Sequence, residues 1–404
     1  MPTYADVMDP IRHEHSTERI AGRLGDLIAA RFDVVAPQAA LVTYGNGGRA
    51  TLGLPEPLLL DDGVLDADAL DDLTITRTAL RHLAERARMP LTFVDRLADD
   101  RSDDVRSLID INLNNINAVD GRTALYRMLR TDDRGYVLRA VLSDRFSVMD
   151  NELVLRAIMN GLGGAGVGLG DCEVDGDVTP DRLRLRIAVP AIAHAVPDLL
   201  GDYRMPFSMR DDRAMHARPE TGETPPVMWA GLEVTNSETG GGAFALAPRA
   251  VIQVCRNGLT RPVEFRRAHV GSVLTEGVID WSANTRTAAL ELITSQVADA
   301  VRQFCSVDYL TRLADEMRAA KGIVISEPVA AVTVAQRLAV LSDAETADVL
   351  ACFSRGGDFT LLGVGNAVTA AAQMVTDGDR QAEMEQAFWK IVNAPAAFAD
   401  AVAS

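Results

Sequence analysis

Apolar positions repeat with two different periods along this chain, and the change of period divides it. From Thr76, residues Leu80, Leu83, Ala84 and Ala87 share one face of a helix, with Arg77, Arg81, Arg86 and Arg88 mostly elsewhere. Pro90 stops that helix, residues 91–97 begin another, and apolar residues at 105, 108, 109, 113 and 116 predict a third. The period then falls to two. Residues 123–130 and 136–146 flank Thr131-Asp-Asp-Arg-Gly135 and predict a β-hairpin. A helix over about 151–162 follows, with Asp150 as its N-cap. Residues 181–190 alternate again, Leu183, Leu185, Ile187 and Val189 facing one way and Arg182, Arg184 and Arg186 the other. An irregular stretch over 191–226 precedes two more strands, near 227–235 and 243–255.

After Trp281 the helical period returns, in Leu290, Ile293, Val297, Val301 and Phe304. Gly322 is a stop, Ser342-Asp-Ala-Glu345 a capping box, and Gly356-Gly357 the end of the helix it starts. Helices near 366–376 and 379–393 finish the chain. The fold class is α+β: a helical N-terminal subdomain (70–120), a central antiparallel β-rich core (121–280) and a helical C-terminal region (281–404). Residues 1–69 read as an opening segment and a solvated acidic linker, the latter carrying Asp61, Asp62, Asp66 and Asp68 and continuing to Asp71 and Asp72.

Composition narrows the class. Of 404 residues, 48% are apolar and 24% charged, as in a globular protein. No run approaches 18 apolar residues, so no transmembrane helix and no membrane partner are expected. The first fifteen residues carry Asp6, Asp9 and Glu14 and no apolar core, so no secretory signal is expected. Cys172, Cys255, Cys305 and Cys352 are scattered without a CxxC pair. Neither a zinc site nor a disulfide framework is signalled, which suits a reducing cytoplasm, in a host cell if the protein is phage-encoded.

Forty Lys and Arg against 57 Asp and Glu give a net charge of −17. That argues against coating duplex DNA through overall charge, yet permits a local basic groove. Only Lys321 and Lys390 are lysines. The preference for arginine has two readings: coding bias, or a need for planar guanidiniums against phosphate or carboxylate.

The familiar catalytic strings are missing or misplaced. Gly161-Leu-Gly163-Gly-Ala-Gly166 spells GxGxxG, but a helix precedes it where a nucleotide fingerprint needs a strand. It reads as a helix C-terminus and loop. There is no GxxxxGK[ST], HExxH or GxSxG. No catalytic residue, metal ligand or cofactor is assigned, and a non-enzymatic role is expected.

The most informative stretch runs from Arg249 to His269. It holds Arg249, Arg256, Arg261, Arg266 and Arg267 against Glu264, a formal +4 inside an acidic chain. Asn257-Gly258 forms a tight turn within it. Guanidiniums at strand ends and a turn can meet successive phosphates. Arg127 and Arg139 on the hairpin extend the surface if they pack beside it. The candidate nucleic-acid-binding residues are therefore Arg127, Arg139, Arg249, Arg256, Asn257, Arg261, Arg266, Arg267 and His269. The competing reading is internal pairing of these arginines with the surplus carboxylates.

Several strings together resemble the phage/plasmid-like family of mobile genetic elements, a domain of unknown function. They are Met89-Pro90 with Phe93 and then Asn112 to Asn117; Leu142-Ser-Asp-Arg-Phe146 leading to Asp150-Asn151-Glu152; Asn236-Ser-Glu-Thr-Gly240 with Arg249 and Cys255-Arg-Asn-Gly-Leu259; Arg266-Arg-Ala-His269; and Asn366-Ala-Val-Thr369. The resemblance spans about 75–375. It implies a role in DNA transactions or host takeover, and the hairpin–helix–strand order loosely resembles Rad52-like single-strand annealing proteins. Two functions are expected from these readings. One is a non-enzymatic binder or annealer of single-stranded DNA acting through an arginine-lined groove. The alternative is an acidic, homo-oligomeric phage protein that binds or inhibits a host protein.

Overall fold

The computed structural model describes residues 1–53, 58–60, 63–65, 70–146, 148–200, 227–252, 258–260, 265–267, 277–278 and 283–402. In chain order the N-terminal part comprises α1 (Tyr4–Met8), β1 (Ile11–Glu14), α2 (Thr17–Ala30), β2 (Arg31–Pro37), β3 (Leu41–Tyr44), β4 (Arg49–Leu52), β5 (Leu58–Leu60), β6 (Gly63–Leu65) and β7 (Leu73–Ile75). Helices α3 (Arg77–Arg86), α4 (Leu91–Ala98) and α5 (Asp103–Asn117) follow, then β8 (Thr123–Thr131), β9 (Gly135–Ser143) and α6 (Asn151–Gly164). The middle adds β10 (Glu173–Val178), β11 (Leu183–Ala195), α7 (Pro197–Leu200), β12 (Val227–Asn236), β13 (Phe244–Ile252), β14 (Gly258–Thr260), β15 (Phe265–Arg267) and β16 (Gly277–Val278). The C-terminal helices are α8 (Ala283–Phe304), α9 (Val307–Lys321), α10 (Pro328–Ala339), α11 (Asp343–Gly356), α12 (Leu361–Ala372) and α13 (Gly378–Val392).

The class is α+β, with helices at both ends and antiparallel sheets between. Among the described residues, one sheet runs β1-β10-β11-β12-β13-β14, with β15 also on β13. A second runs β16-β2-β8-β9-β7-β4-β3, and only its β7–β9 pair is parallel. The first 53 residues are thus more than an opening segment: β1 joins the first sheet while β2, β3 and β4 join the second. Asp61, Asp62, Asp66 and Asp68 of the expected linker lie outside the described residues.

Each sheet turns one apolar face to helices. In the first, Leu183, Leu185, Ile187 and Val189 of β11 and Met228, Ala230, Leu232 and Val234 of β12 enter the large core shared with α2, α6 and the C-terminal helices. In the second, Val34, Tyr126, Met128 and Leu138 pack against Leu80, Leu83, Ile109 and Leu113 of α3 and α5. Burying a side chain of this size stabilises by about 1.5–3 kcal/mol. The GxGxxG string is the end of α6: a Cβ at Gly161 would come within 2.6 Å of Val297, so glycine lets α6 and α8 approach, and Gly166 takes φ +84° beyond the helix.

At the outer edge of the second sheet, Asn114 of α5 accepts from Thr43 N at 2.7 Å and donates to Thr43 O at 2.8 Å. Its amide occupies the two backbone sites of Thr43 that a neighbouring strand would use. Among the described residues no helix is long and apolar enough to cross a membrane.

Candidate functional site

The arginines of the central core fall into two networks, and the first joins the sheets. Arg127 on β8 is 1% exposed. Its Nε donates to Asp33 Oδ1 at 3.2 Å, Nη1 to Glu238 O at 2.9 Å and Nη2 to Asp150 Oδ1 at 2.9 Å. Arg139 on β9 pairs with the Glu238 carboxylate, and Glu238 Oε1 accepts from Asn151 N at 2.6 Å. Asn236 Nδ2 donates to Met149 O and to Asn151 Oδ1. Burial alone would lower the pKa of Arg127, but Asp33, Asp150 and Glu238 override it and raise it. Asp150 shows the converse: burial pushes it up, and Arg127 with Arg31 brings it below the usual carboxylate value.

Asp150 precedes α6 as expected, yet its side chain makes no capping bond. The carboxylate is held by Arg127 and Arg31 instead. Two of the sequence strings, Asp150-Asn151 and Asn236-Ser-Glu238, therefore meet in space. They form a closed junction between the β12–β13 turn, α6 and the second sheet.

The second network lies on the other face of the first sheet, under α13. One stripe of that helix, Gly378, Gln381 and Glu385, meets the arginines of β11 and β13. Arg249 Nη1 stands 3.2 Å from Glu385 and 3.5 Å from Glu233. Arg186 Nη1 lies 3.0 Å from Asp175 and 3.2 Å from Asp177, and Nη2 donates to Gln381 Oε1 at 3.2 Å. Arg184 donates to Gly378 O, and its Nη2 reaches Asp379 at 2.8 Å. At this end the network opens into a cavity of about 320 Å³ lined by Arg12, Arg182, Arg184, Asp181 and Asp379.

His13, Asp175 and Asp177 bring possible metal-ligating atoms within 4.8 Å of one another. The Arg186 guanidinium already stands against both carboxylates, where a cation would sit.

The expected open groove is corrected at three positions. Arg127, Arg139 and Arg249 are 1%, 2% and 6% exposed, and each faces buried carboxylates rather than solvent. The physical reason is the cost of burying an unpaired charge: once α13 and the β12–β13 turn cover these strands, each guanidinium must have an acid. Arg266 and Arg267 belong to β15, opposite Ala245 and Phe244. Arg256, Asn257, Arg261 and His269 lie outside the described residues.

Comparison with family models, curated proteins and solved structures finds no match to this chain. The cavity cluster of Arg12, Arg182, Arg184 and Asp379 was not assembled from the sequence. Its signal was split between a strand alternating arginine with leucine and Asp377-Gly-Asp379 at a helix start nearly 200 residues later.

Proposed function

We propose that this chain works by binding a basic macromolecular partner, in the mobile-element setting a host protein, through its acidic exterior. The observation that carries this reading is what folding buries. Among the described residues, the buried charged groups are six arginines and five carboxylates. The acid surplus of the chain is therefore left to the remainder. Helix α5 supplies a contact of suitable chemistry. It points Ile109 and Leu113 inward and leaves Leu108 39% and Ile111 53% exposed, with Asp103 and Asp104 in its first turn. Apolar anchors beside carboxylates suit a partner that offers apolar side chains among lysines and arginines. The homo-oligomer expected from the sequence belongs to this reading and is measured as mass in solution.

The test is capture of a stoichiometric partner from a bacterial host lysate, followed by binding measurements with the purified pair. Affinity should fall with salt and be lost in Leu108→Glu/Ile111→Glu with the circular dichroism unchanged. A partner indifferent to both salt and this substitution overturns the reading, as does the lack of any stoichiometric partner.

A second reading, binding of single-stranded nucleic acid, is favoured by one observation. Strands β14 and β15 both pair with β13, opposite residues 249–251 and 244–246, which puts Arg266 and Arg267 on an edge strand of the first sheet. Gel shifts with ssDNA, ssRNA and duplex at low salt test it. Binding should weaken in Arg266→Ala/Arg267→Ala, and no shift with any of the three removes it.

A further inference from the structure

We infer that the cavity between β1, the β10–β11 turn and the start of α13 binds a small ligand through a phosphate or carboxylate group, which displaces Asp379 from Arg182 and Arg184. A volume of about 320 Å³ admits a small molecule and excludes a folded partner. Its walls carry three guanidiniums. Arg184 is fixed, with a side chain 7% exposed, Nη1 on Gly378 O and Nε 3.6 Å from Glu233. Arg182 is steadied by Gly241 O at 2.7 Å, and Arg12 by Thr376 O at 3.3 Å. These bonds aim the cations before any ligand arrives.

The acids around the cavity are not equivalent. Asp377 Oδ1 accepts from the N–H groups of Asp379 and Arg380, each at 2.9 Å, and so caps α13. Asp181 takes the hydroxyls of Thr78 and Thr239. Asp177 accepts from His13 N at 3.0 Å and faces Arg186. Asp379 differs: its side chain is 54% exposed, and Oδ1 stands 2.5 Å from Arg182 Nη1 and 2.8 Å from Arg184 Nη2 as ion pairs, while the hydrogen bonds of these two guanidiniums go to Gly241 O and Gly378 O. Ion pairs of this kind leave unused the paired hydrogen bonds that guanidinium makes best. A phosphate, with three oxygens, or a dicarboxylate, with two charged ends, uses them. Asp379 is the resident stand-in for that group.

The experiment is a thermal-shift and calorimetric titration of the full chain with inorganic phosphate, sulfate and succinate. Phosphate or sulfate stabilising more than succinate identifies a phosphate-bearing ligand, and the reverse a carboxylate. Asp379→Asn removes the internal competitor and should tighten binding about fivefold. Arg12→Ala/Arg182→Ala, the first exposed and the second 30% exposed, should abolish it. The inference is overturned if none of the anions shifts the melting temperature, if Asp379→Asn binds no better than the parent, or if binding survives loss of Arg12 and Arg182. Should Asp379→Asn fold poorly, Asp379→Ser, which keeps a helix-starting residue, carries the same expectation. Partner capture through α5 uses a different surface, so either result can fail alone.

Discussion

At the junction of the two sheets, Arg127 is 1% exposed and meets carboxylates from β2 and the residue before α6 and the Glu238 carbonyl of the β12–β13 turn. Under α13, Arg184 is nearly as enclosed along its stem, yet its far nitrogen reaches Asp379, which is 54% exposed. Both networks use guanidinium against carboxylate. In the first, every partner is locked in place by a different element, so the pairing fixes how those elements dock. In the second, the last partner sits at a rim where another anion could take its place. Enclosure of the acid, more than of the arginine, separates a strut from a site.

The largest expected effect is on the closed side. Arg127→Ala leaves Asp33 in a dry junction without its cation and Asp150 with Arg31 alone, and should cost about 3–5 kcal/mol in denaturant unfolding. A loss under about 1 kcal/mol would show that water reaches the junction and would erase the contrast. Beneath α13, Arg249→Met should cost about 3 kcal/mol by taking a guanidinium from Glu385, which is fully buried. Adding Glu385→Met should recover at least about 1 kcal/mol, measured as a double-mutant cycle.

A half-enclosed pair in the C-terminal helices supplies an intermediate. Hydrogen bonds from Arg380 first, and then from Ser342, hold Glu345 down to about 2, against an ordinary 4.5. A depressed folded value means that this stabilisation is complete above pH 4.5 and is lost as pH falls toward 2. Glu345→Gln should cost about 1 kcal/mol at neutral pH and flatten the acid limb of the stability curve across that window. Smallest of all, Arg182→Ala at the cavity rim should change stability by no more than about 1 kcal/mol. A larger loss would make the rim as structural as the junction.

Much of this frame was legible in the sequence. The hairpin over 123–146 came from alternation around Thr131-Asp-Asp-Arg-Gly135, and its strands are β8 and β9. The Ser342–Glu345 capping box and the stop at Gly357, with φ +71°, are present as read. Local signals of this kind involve neighbours in the chain. The fate of the arginines does not. Arg184 and Arg186 alternate with leucines as the outer face of an ordinary strand would. Nothing near them announces that Gly378, Gln381 and Asp379, some 195 positions on, will cover that face. Arg127 and Glu238 are likewise 111 residues apart. The early strands escaped notice because β3 and β4 have four residues each, too few to establish a period.

The amide of Asn114 against Thr43 bears on how this molecule behaves in a crowded solution. A sheet whose last strand shows bare N–H and C=O groups can grow by recruiting the same strand from the next molecule, and that growth has no natural end. Here one side chain, delivered by a helix, has filled those of Thr43 beforehand. Copies of the chain that meet at this rim find the rung at Thr43 already taken, so adding a strand there gains less backbone pairing, which favours assembly through side chains.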